Sequence, residues 1–320
     1  MKKIFIALAA LATIAACDKA EVIRIPEGEE IAFNKAFVDN STKTAVDPSY
    51  SSTGQQLTSF KVWGSVDGGA GVVSIFNNNT VTGTIGSNIV NNVEQNVWKA
   101  DKKQYWINGA KYNFAALVNA KGVTLGNANN GTNNLLPITV DFTADGATDL
   151  LYAKSEENII GSLTTNQLVD FSFQHLLSKV KFTVNNSSKA AEDYSFKVNN
   201  IVITGDSEGT YDLPGKKWST TKTSKGYTVN AISVDKNTAD TGQECEQELL
   251  LIPGSFGIDF DVEIYLGETK LSTKHYNFTT SSPLAASTSY NFVVSVGVGQ
   301  EITFFVGQNS DWTDGVITIQ

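Results

Sequence analysis

A five-residue pattern centred on a serine is the first candidate for catalysis in this sequence. Gly205-Asp206-Ser207-Glu208-Gly209 matches G-x-S-x-G, a hydrolase pattern in which the serine occupies a turn between a strand and a helix. Residues 202–204 favour the strand, but residues 210–215 favour a second strand rather than a helix. We therefore interpret the match as coincidence and predict that the protein is not an enzyme.

Histidine is too sparse for a transition-metal centre. His175 and His275 are the two histidines, and neither has a second ligand at the spacing of a zinc motif. We expect His175 to be a packed ring whose nitrogens bond to the backbone, and Asp259 and Asp261 to be solvated carboxylates on one strand face. No glycine-rich phosphate-binding loop is present, so we predict no metal, no catalytic residue and no cofactor.

Cys17 is the remaining group with predictable chemistry. Met1-Lys2-Lys3 precedes an apolar run from Ile4 to Ala16, which is an export signal too short to span a bilayer. Ile14-Ala15-Ala16-Cys17 matches a bacterial lipobox, in which the thiol receives acyl chains such as palmitate and the cysteine becomes the N-terminus. Each buried methylene adds about 0.8 kcal/mol, so several chains anchor firmly. We predict a lipoprotein signal over residues 1–17; an ordinary cleaved signal is the alternative.

Composition indicates an exported all-β protein. The chain has 26 Gly, 17 Phe and 10 Tyr with 18% charged residues, and turn residues recur at the interval of a β-sandwich. Removal of residues 1–16 takes away two lysines and no acid, which changes the formal net charge from −9 to −11. This charge argues against a nucleic-acid partner. Cys245 has no second cysteine once Cys17 is acylated, so the fold must depend on core burial.

Two features predict the domain organisation. Residues 18–30 are charged and aperiodic and form a linker, after which residues 31–38 form a mostly apolar strand. The long segment 168–184 changes phase at Leu176-Leu177, which indicates two strands that share a bend. We place the boundary there, with an N-terminal β-sandwich domain over 31–174 and a C-terminal β-sandwich domain over 175–320.

Aromatic residues are concentrated between residues 97 and 118. Asn108-Gly109 lies between two aromatic runs and predicts a type I′ hairpin within a three-stranded meander over 97–100, 104–107 and 110–118. Alternating aromatics of this kind are more often core than sugar-binding residues. The set consists of Trp98, Tyr105, Trp106, Tyr112 and Phe114.

The C-terminus is rich in strand-forming residues. Residues 301–306 and 316–319 both favour strands, and Ile317 and Ile319 lie on the face opposite Val316 and Thr318. An uncovered tail of this composition promotes aggregation. We therefore expect this tail to be covered.

Together these features resemble the fimbrillins of Bacteroidales, type V pilin lipoproteins known as Mfa-like or FimA-like. The resemblance rests on the lipobox at Cys17 and on residues 31–44, 105–116, 149–153, 171–180 and 312–315. It implies two transthyretin-like β-sandwich domains in tandem. It also implies donor-strand exchange, in which a protease removes the first strand and the C-terminal strand of another subunit fills the exposed groove. The expected first-strand residues are Ile31, Phe33, Phe37 and Val38, and the expected donor residues are Val316, Ile317, Thr318 and Ile319.

The processing site departs from the family pattern. The best-known members are cut after an arginine that follows the first strand, whereas Arg24, the only arginine here, precedes it. Cleavage at Arg24 would leave the groove occupied. We therefore predict cleavage at Lys43, in the loop after the first strand; the alternative is that Lys43 is a solvated residue and the chain remains uncut.

The expected function is that of a structural subunit of a cell-surface fimbria or pilus. The partners are other fimbrial subunits joined head-to-tail, a processing protease and a lipid anchor in the outer membrane. The protein is then a surface-exposed outer-membrane lipoprotein that becomes part of a fimbrium after processing. The alternatives are a tip adhesin or anchor subunit of the same fold, and a surface glycan-binding lipoprotein that uses exposed Trp and Tyr.

Overall fold

The structure is a computed structural model, and Cys17, Arg24, Lys43 and the segment from Val316 to Ile319 lie outside the residues it describes. Strands at 37–38, 88–90, 93–95, 303–307 and 313–314 are described by their backbone alone. The described residues are 28–34, 37–38, 59–83, 88–90, 93–95, 98–127, 135–163, 167–188, 193–220, 223–235, 242–279, 283–298, 303–307 and 313–314.

All regular secondary structure in these residues is β-strand, which confirms the predicted all-β class. Accordingly, the described part of the chain contains no helix with the length and apolar character needed to cross a bilayer. The strands are β1 (Ala32–Phe33), β2 (Phe37–Val38), β3 (Ser59–Asp67), β4 (Val72–Gly83), β5 (Asn88–Val90), β6 (Val93–Gln95), β7 (Trp98–Ala100), β8 (Lys111–Val118), β9 (Gly122–Leu125), β10 (Pro137–Thr143), β11 (Leu151–Lys154), β12 (Ile159–Ile160), β13 (Leu168–Val169), β14 (Ser172–His175), β15 (Ser178–Asn186), β16 (Tyr194–Asp206), β17 (Glu208–Asp212), β18 (Lys217–Thr220), β19 (Ser224–Val229), β20 (Ile232–Val234), β21 (Gln243–Glu244), β22 (Leu249–Leu251), β23 (Gly257–Leu266), β24 (Thr269–Thr279), β25 (Thr288–Val296), β26 (Thr303–Gly307) and β27 (Thr313–Asp314).

The first half of the chain forms one large sheet that curls back on itself. Its strand order is β13-β1-β7-β4-β3-β8-β11-β14-β2, and β12 pairs with β8. β1 and β2 are close in sequence but lie near opposite ends of this order, each parallel to part of the segment 168–173. The first strand and this segment therefore bring the two ends of the sheet together.

The second half contributes two sheets of its own. In one, β15 and β25 are parallel over nine residue pairs, with β21 and β22 on one side of this pair and β26 and β27 on the other. The other has the order β19-β16-β23-β24, with β20 beside β16. The alternating burial of β23 places Ile258, Phe260 and Val262 in the core and the intervening carboxylates outside.

A further sheet of four strands combines both halves. Its order is β18-β17-β10-β9, so two strands that precede residue 175 pair with two that follow it. β10 and β17 are antiparallel from Thr139↔Asp212 to Thr143↔Glu208. The hydrophobic core of the second half likewise includes Trp63, Leu117 and Leu150 from the first half.

Several local predictions agree with the structure. β14 ends at His175 and β15 begins at Ser178, so the chain does bend at Leu176-Leu177. β17 begins directly after Ser207, so the G-x-S-x-G match is followed by a strand and not by a helix.

The predicted meander is wrong. Only Gly109 of the Asn108-Gly109 pair has a positive φ, of 76°, whereas a type I′ turn requires both. Residues 104–107 form no strand with β8, because Tyr105 bridges Glu30 and the Tyr112 hydroxyl bonds to the Ile107 amide. β4 and β9 were not predicted; in β4 the run Asn77-Asn78-Asn79 interrupts the alternating pattern, and Asn78 has a positive φ of 61°.

Candidate functional site

The candidate functional site is the place that the first strand occupies in the large sheet. The Ile31 amide donates a hydrogen bond to the Gln104 carbonyl at 2.8 Å, and the Asn34 amide donates one to the Val169 carbonyl at 2.9 Å. Phe33 pairs with Trp98 on one side and with Val169 on the other. The strand is therefore inserted between two neighbours rather than added at an edge.

The side chain of Phe33 lies in the middle of the first-half core. It is 0% exposed, and its ring is stacked on Phe171, with centroids 5.7 Å apart. Three more rings lie at centroid distances of 5.9–6.1 Å, two of them edge-on. We call the surface that surrounds this side chain the first-strand groove; its members are Phe60, Phe76, Trp98, Phe114 and Phe171.

Polar contacts lie at the two ends of this buried segment. The Glu30 carboxylate accepts a hydrogen bond from the Lys99 ammonium at 3.1 Å, and the Asn34 side-chain amide donates one to Asp170 at 2.7 Å. Both contacts are exposed, so each stabilises the strand only weakly. Burial of apolar side chains supplies most of the attraction between the strand and the groove.

Within the described residues, the first strand has fewer pairs with its parallel neighbour than the corresponding strand of the second half has. β1 and β2 together match the segment 168–173 at four positions, from Ala32↔Leu168 to Phe173↔Val38. In the second half, the opening strand β15 also lies parallel to a late strand, β25, but matches it at nine positions. The two halves thus repeat one arrangement, and the described part of this ladder is shorter in the first half.

The structure describes part of the predicted site. Ile31 and Phe33 lie together in the core, at 1% and 0% exposure, and the backbone of Phe37 and Val38 forms β2, which pairs with β14. The groove residues themselves were not predicted as a set. The alternation Phe171-Ser172-Phe173 signalled two of the aromatic residues in this core, whereas Phe76 lies in the strand that the sequence did not reveal.

The aromatic set around residues 98–114 is mostly core. Trp98, Trp106, Tyr112 and Phe114 are buried, and only Tyr105, at 48% exposure, is open to solvent. The Trp106 indole donates to the Gln167 carbonyl, at 3.3 Å. This part of the chain therefore presents no aromatic surface on which several sugar rings could stack.

His175 differs from the prediction. Its Nδ1 lies 2.7 Å from Asp149 Oδ2, so this ring nitrogen bonds to a buried carboxylate. Burial raises the pKa of the Asp149 carboxyl, although the hydrogen bond with His175 offsets part of this effect. The pair lies where β14 leads into β15, and the described residues contain no group of three or more His, Cys, Asp or Glu side chains placed to bind a metal.

The described part of the C-terminus pairs with β25. β26 is antiparallel to it, from Asn291↔Gly307 to Ser295↔Thr303, and β27 is parallel to it at Thr288 and Ser289. The described residues 303–307 and 313–314 therefore both lie beside β25.

A family described as fimbrillin-like matches this chain over residues 54–312. No curated protein is similar enough in sequence to match.

Solved structures share the fold over nearly their whole length. A fimbrial protein from Bacteroides vulgatus has a TM-score of 0.56 and 14% identity, with 86% of this chain and 98% of that chain covered. A candidate cell adhesion protein from Bacteroides ovatus has a TM-score of 0.51 and 13% identity, with 89% of this chain and 98% of that chain covered. A second candidate cell adhesion protein, from Bacteroides uniformis, has a TM-score of 0.50 and 18% identity, with 89% of this chain and 100% of that chain covered. At these identities the similarity shows the fold alone.

Proposed function

Because this chain belongs to the fimbrillin-like family, we propose that it is a structural subunit of a cell-surface fimbria. The subunits of this fimbria join when the C-terminal strand of one subunit fills the first-strand groove of the next. The observation that supports this proposal best is the position of Phe33, a fully buried core residue supplied by a strand near the N-terminus that is inserted between two neighbouring strands.

The groove is apolar enough to require an occupant. Without residues 31–33 it would expose the rings of Phe60, Phe76, Phe114 and Phe171, all at most 2% exposed when the strand is present. Large contiguous apolar surfaces are rare on monomers and mark binding sites. A strand that enters this groove could also recover the backbone hydrogen bonds made by Ile31 and Asn34.

The proposed donor has the matching character. Residues 316–319 alternate two isoleucines on one face with a valine and a threonine on the other. A donor strand supplies main-chain hydrogen bonds along its length, and its alternate side chains fix the register. Joining of this kind does not close on itself, so it produces a filament.

The N-terminal events follow from the same proposal. Acylation at Cys17 anchors the chain in the outer membrane, and cleavage after Lys43 releases residues 31–38 together with the anchor. Processing at Arg24 would release the anchor and leave the groove filled. The finished subunit is then located in the fimbrium at the cell surface.

A tip adhesin or anchor subunit is the second candidate. Such a subunit would keep its first strand or would lack an effective donor tail. The strand-forming residues 316–319 favour a position within the stalk.

The tail provides the direct test. Ile317→Asp combined with Ile319→Asp should abolish SDS-resistant ladders of the processed protein, because a charge cannot enter an apolar groove without a large desolvation cost. Thr318→Asp, on the opposite face, is the matched control and should leave the ladders largely intact. Ladders of unchanged length in the double variant would contradict the proposal.

A further inference from the structure

A cleft in the second half of the chain has the composition of a ligand site. Its volume is about 700 Å³, and it shares no residue with the first-strand groove. Volumes of roughly 300–1,000 Å³ are usual for small-molecule sites. The cleft is lined by residues of β18, by the end of β16, by the loop at 253–256 and by residues of β23 and β24.

Trp218 is the aromatic residue that lines this cleft and retains solvent exposure. Its indole Nε1 donates a hydrogen bond to the Leu176 carbonyl at 2.8 Å, and its ring centroid lies 5.2 Å from that of Tyr211. Both contacts fix the ring in one orientation. A flat, partly exposed indole of fixed orientation is a suitable surface for the apolar C–H face of a sugar ring.

Polar groups also line the cleft, and the described residues of its lining include no lysine or arginine. The lining includes the carboxylates of Asp206 and Asp259, the amide of Asn277 and the hydroxyls of Thr204 and Thr220. Asn277 donates to Asp259 at 2.6 Å across the β23–β24 pair, so this carboxylate and amide are held together. Such groups can accept and donate hydrogen bonds to sugar hydroxyls, whereas the two carboxylates repel an anionic ligand.

Gly205 contributes only main-chain atoms to the lining of the cleft. Gly205 has no atom within 4 Å of the position that a Cβ would occupy, and its φ is not positive. A small residue beside open space allows a ligand to approach the main chain closely.

We propose that this cleft binds a neutral, hydroxyl-rich oligosaccharide, with Trp218 as its stacking surface. The site gives the subunit a contact with carbohydrate along its flank. It does not depend on polymerisation, so the two proposals can fail separately.

Binding of the signal-free full chain to immobilised neutral oligosaccharides, and to the sialylated and sulfated forms of the same sugars, tests this proposal. A neutral sugar should bind and alter tryptophan fluorescence. Trp218→Leu should weaken its affinity by about ten-fold or more, because stacking is lost.

A second variant addresses the risk that Trp218→Leu disturbs folding. Gly205→Val places a branched side chain in open space within a strand and should block the cleft while the fold is kept. Gly68→Val, also in open space but in the first half, is the matched control and should bind like the wild type. The proposal is overturned if no neutral sugar binds, if anionic forms bind better, if both cleft variants bind like the wild type, or if Gly68→Val is equally weakened.

Discussion

Phe33 contacts four phenylalanine rings, although it belongs to β1, a strand of two residues near the N-terminus. Burial of a phenylalanine side chain contributes roughly 1.5–3 kcal/mol, whereas the exposed ion pair of Glu30 and Lys99 contributes at most about 1 kcal/mol. Apolar contact therefore dominates the attachment of the first strand. It is also the kind of contact that another apolar strand can replace.

Phe33→Ala should lower the free energy of unfolding of the uncleaved chain by about 3–5 kcal/mol, since it leaves a cavity among rings that are packed together. Denaturant unfolding followed by circular dichroism measures this loss. Tyr105→Ala is the matched control, because this aromatic side chain lies beside the same strand but is half exposed, and it should cost much less. Equal losses in the two variants would show that the core does not depend on Phe33.

The first strand and β15 are equivalent elements with different attachments. Each lies parallel to a strand from late in its half, but β15 follows β14 after two residues and has nine ladder positions, against four among the described residues of the first strand. Removal of β15 would break a long continuous ladder in the middle of the chain. Removal of the first strand requires one cut in the residues between 38 and 59.

Processing is expected at Lys43, which gives Thr44 as the new N-terminus of assembled subunits. Edman sequencing of fimbriae sheared from cells checks this expectation. Lys43→Gln should keep the first strand and reduce assembly, whereas Arg24→Gln should still be processed. Assembled subunits that begin only at Ile25 would contradict the prediction.

The two halves share more structure than a simple tandem of domains requires. Strands β9 and β10 of the first half form a sheet with β17 and β18 of the second, and the Leu250 amide donates to the Gly146 carbonyl at 2.9 Å. Apolar residues from both halves belong to one core cluster. The division into two transthyretin-like domains at residues 174 and 175 stays a prediction, and this shared sheet favours mechanical continuity between the two halves.

Unfolding of the full chain in urea should therefore occur in one transition. Tryptophan fluorescence reports on both halves, through Trp98 and Trp106 in the first and Trp218 in the second, and far-ultraviolet circular dichroism reports on all strands. The two signals should give the same midpoint, because separation of the halves would expose the shared sheet and core. Two resolved transitions would show that the halves are independent units.

Local pattern in the sequence was sufficient for the all-β class, for the strands on either side of Ser207 and for the bend at Leu176-Leu177. These features depend on alternation and turn chemistry over short stretches, which the order of residues encodes directly. The apolar character of Ile31 and Phe33 was visible in the same way. The resemblance to fimbrillins rested on such segments taken in order.

Pairing between strands that are distant in the sequence could not be predicted from local pattern. Nothing near Tyr105 indicates that it bridges Glu30, and nothing near Trp218 indicates that it lines a cleft with Asp206. The burial of Asp149 beside His175 and the sheet formed by both halves have the same origin. Each of these features depends on the tertiary fold of the whole chain, because a residue's burial and partners are set by segments that lie far away in the sequence.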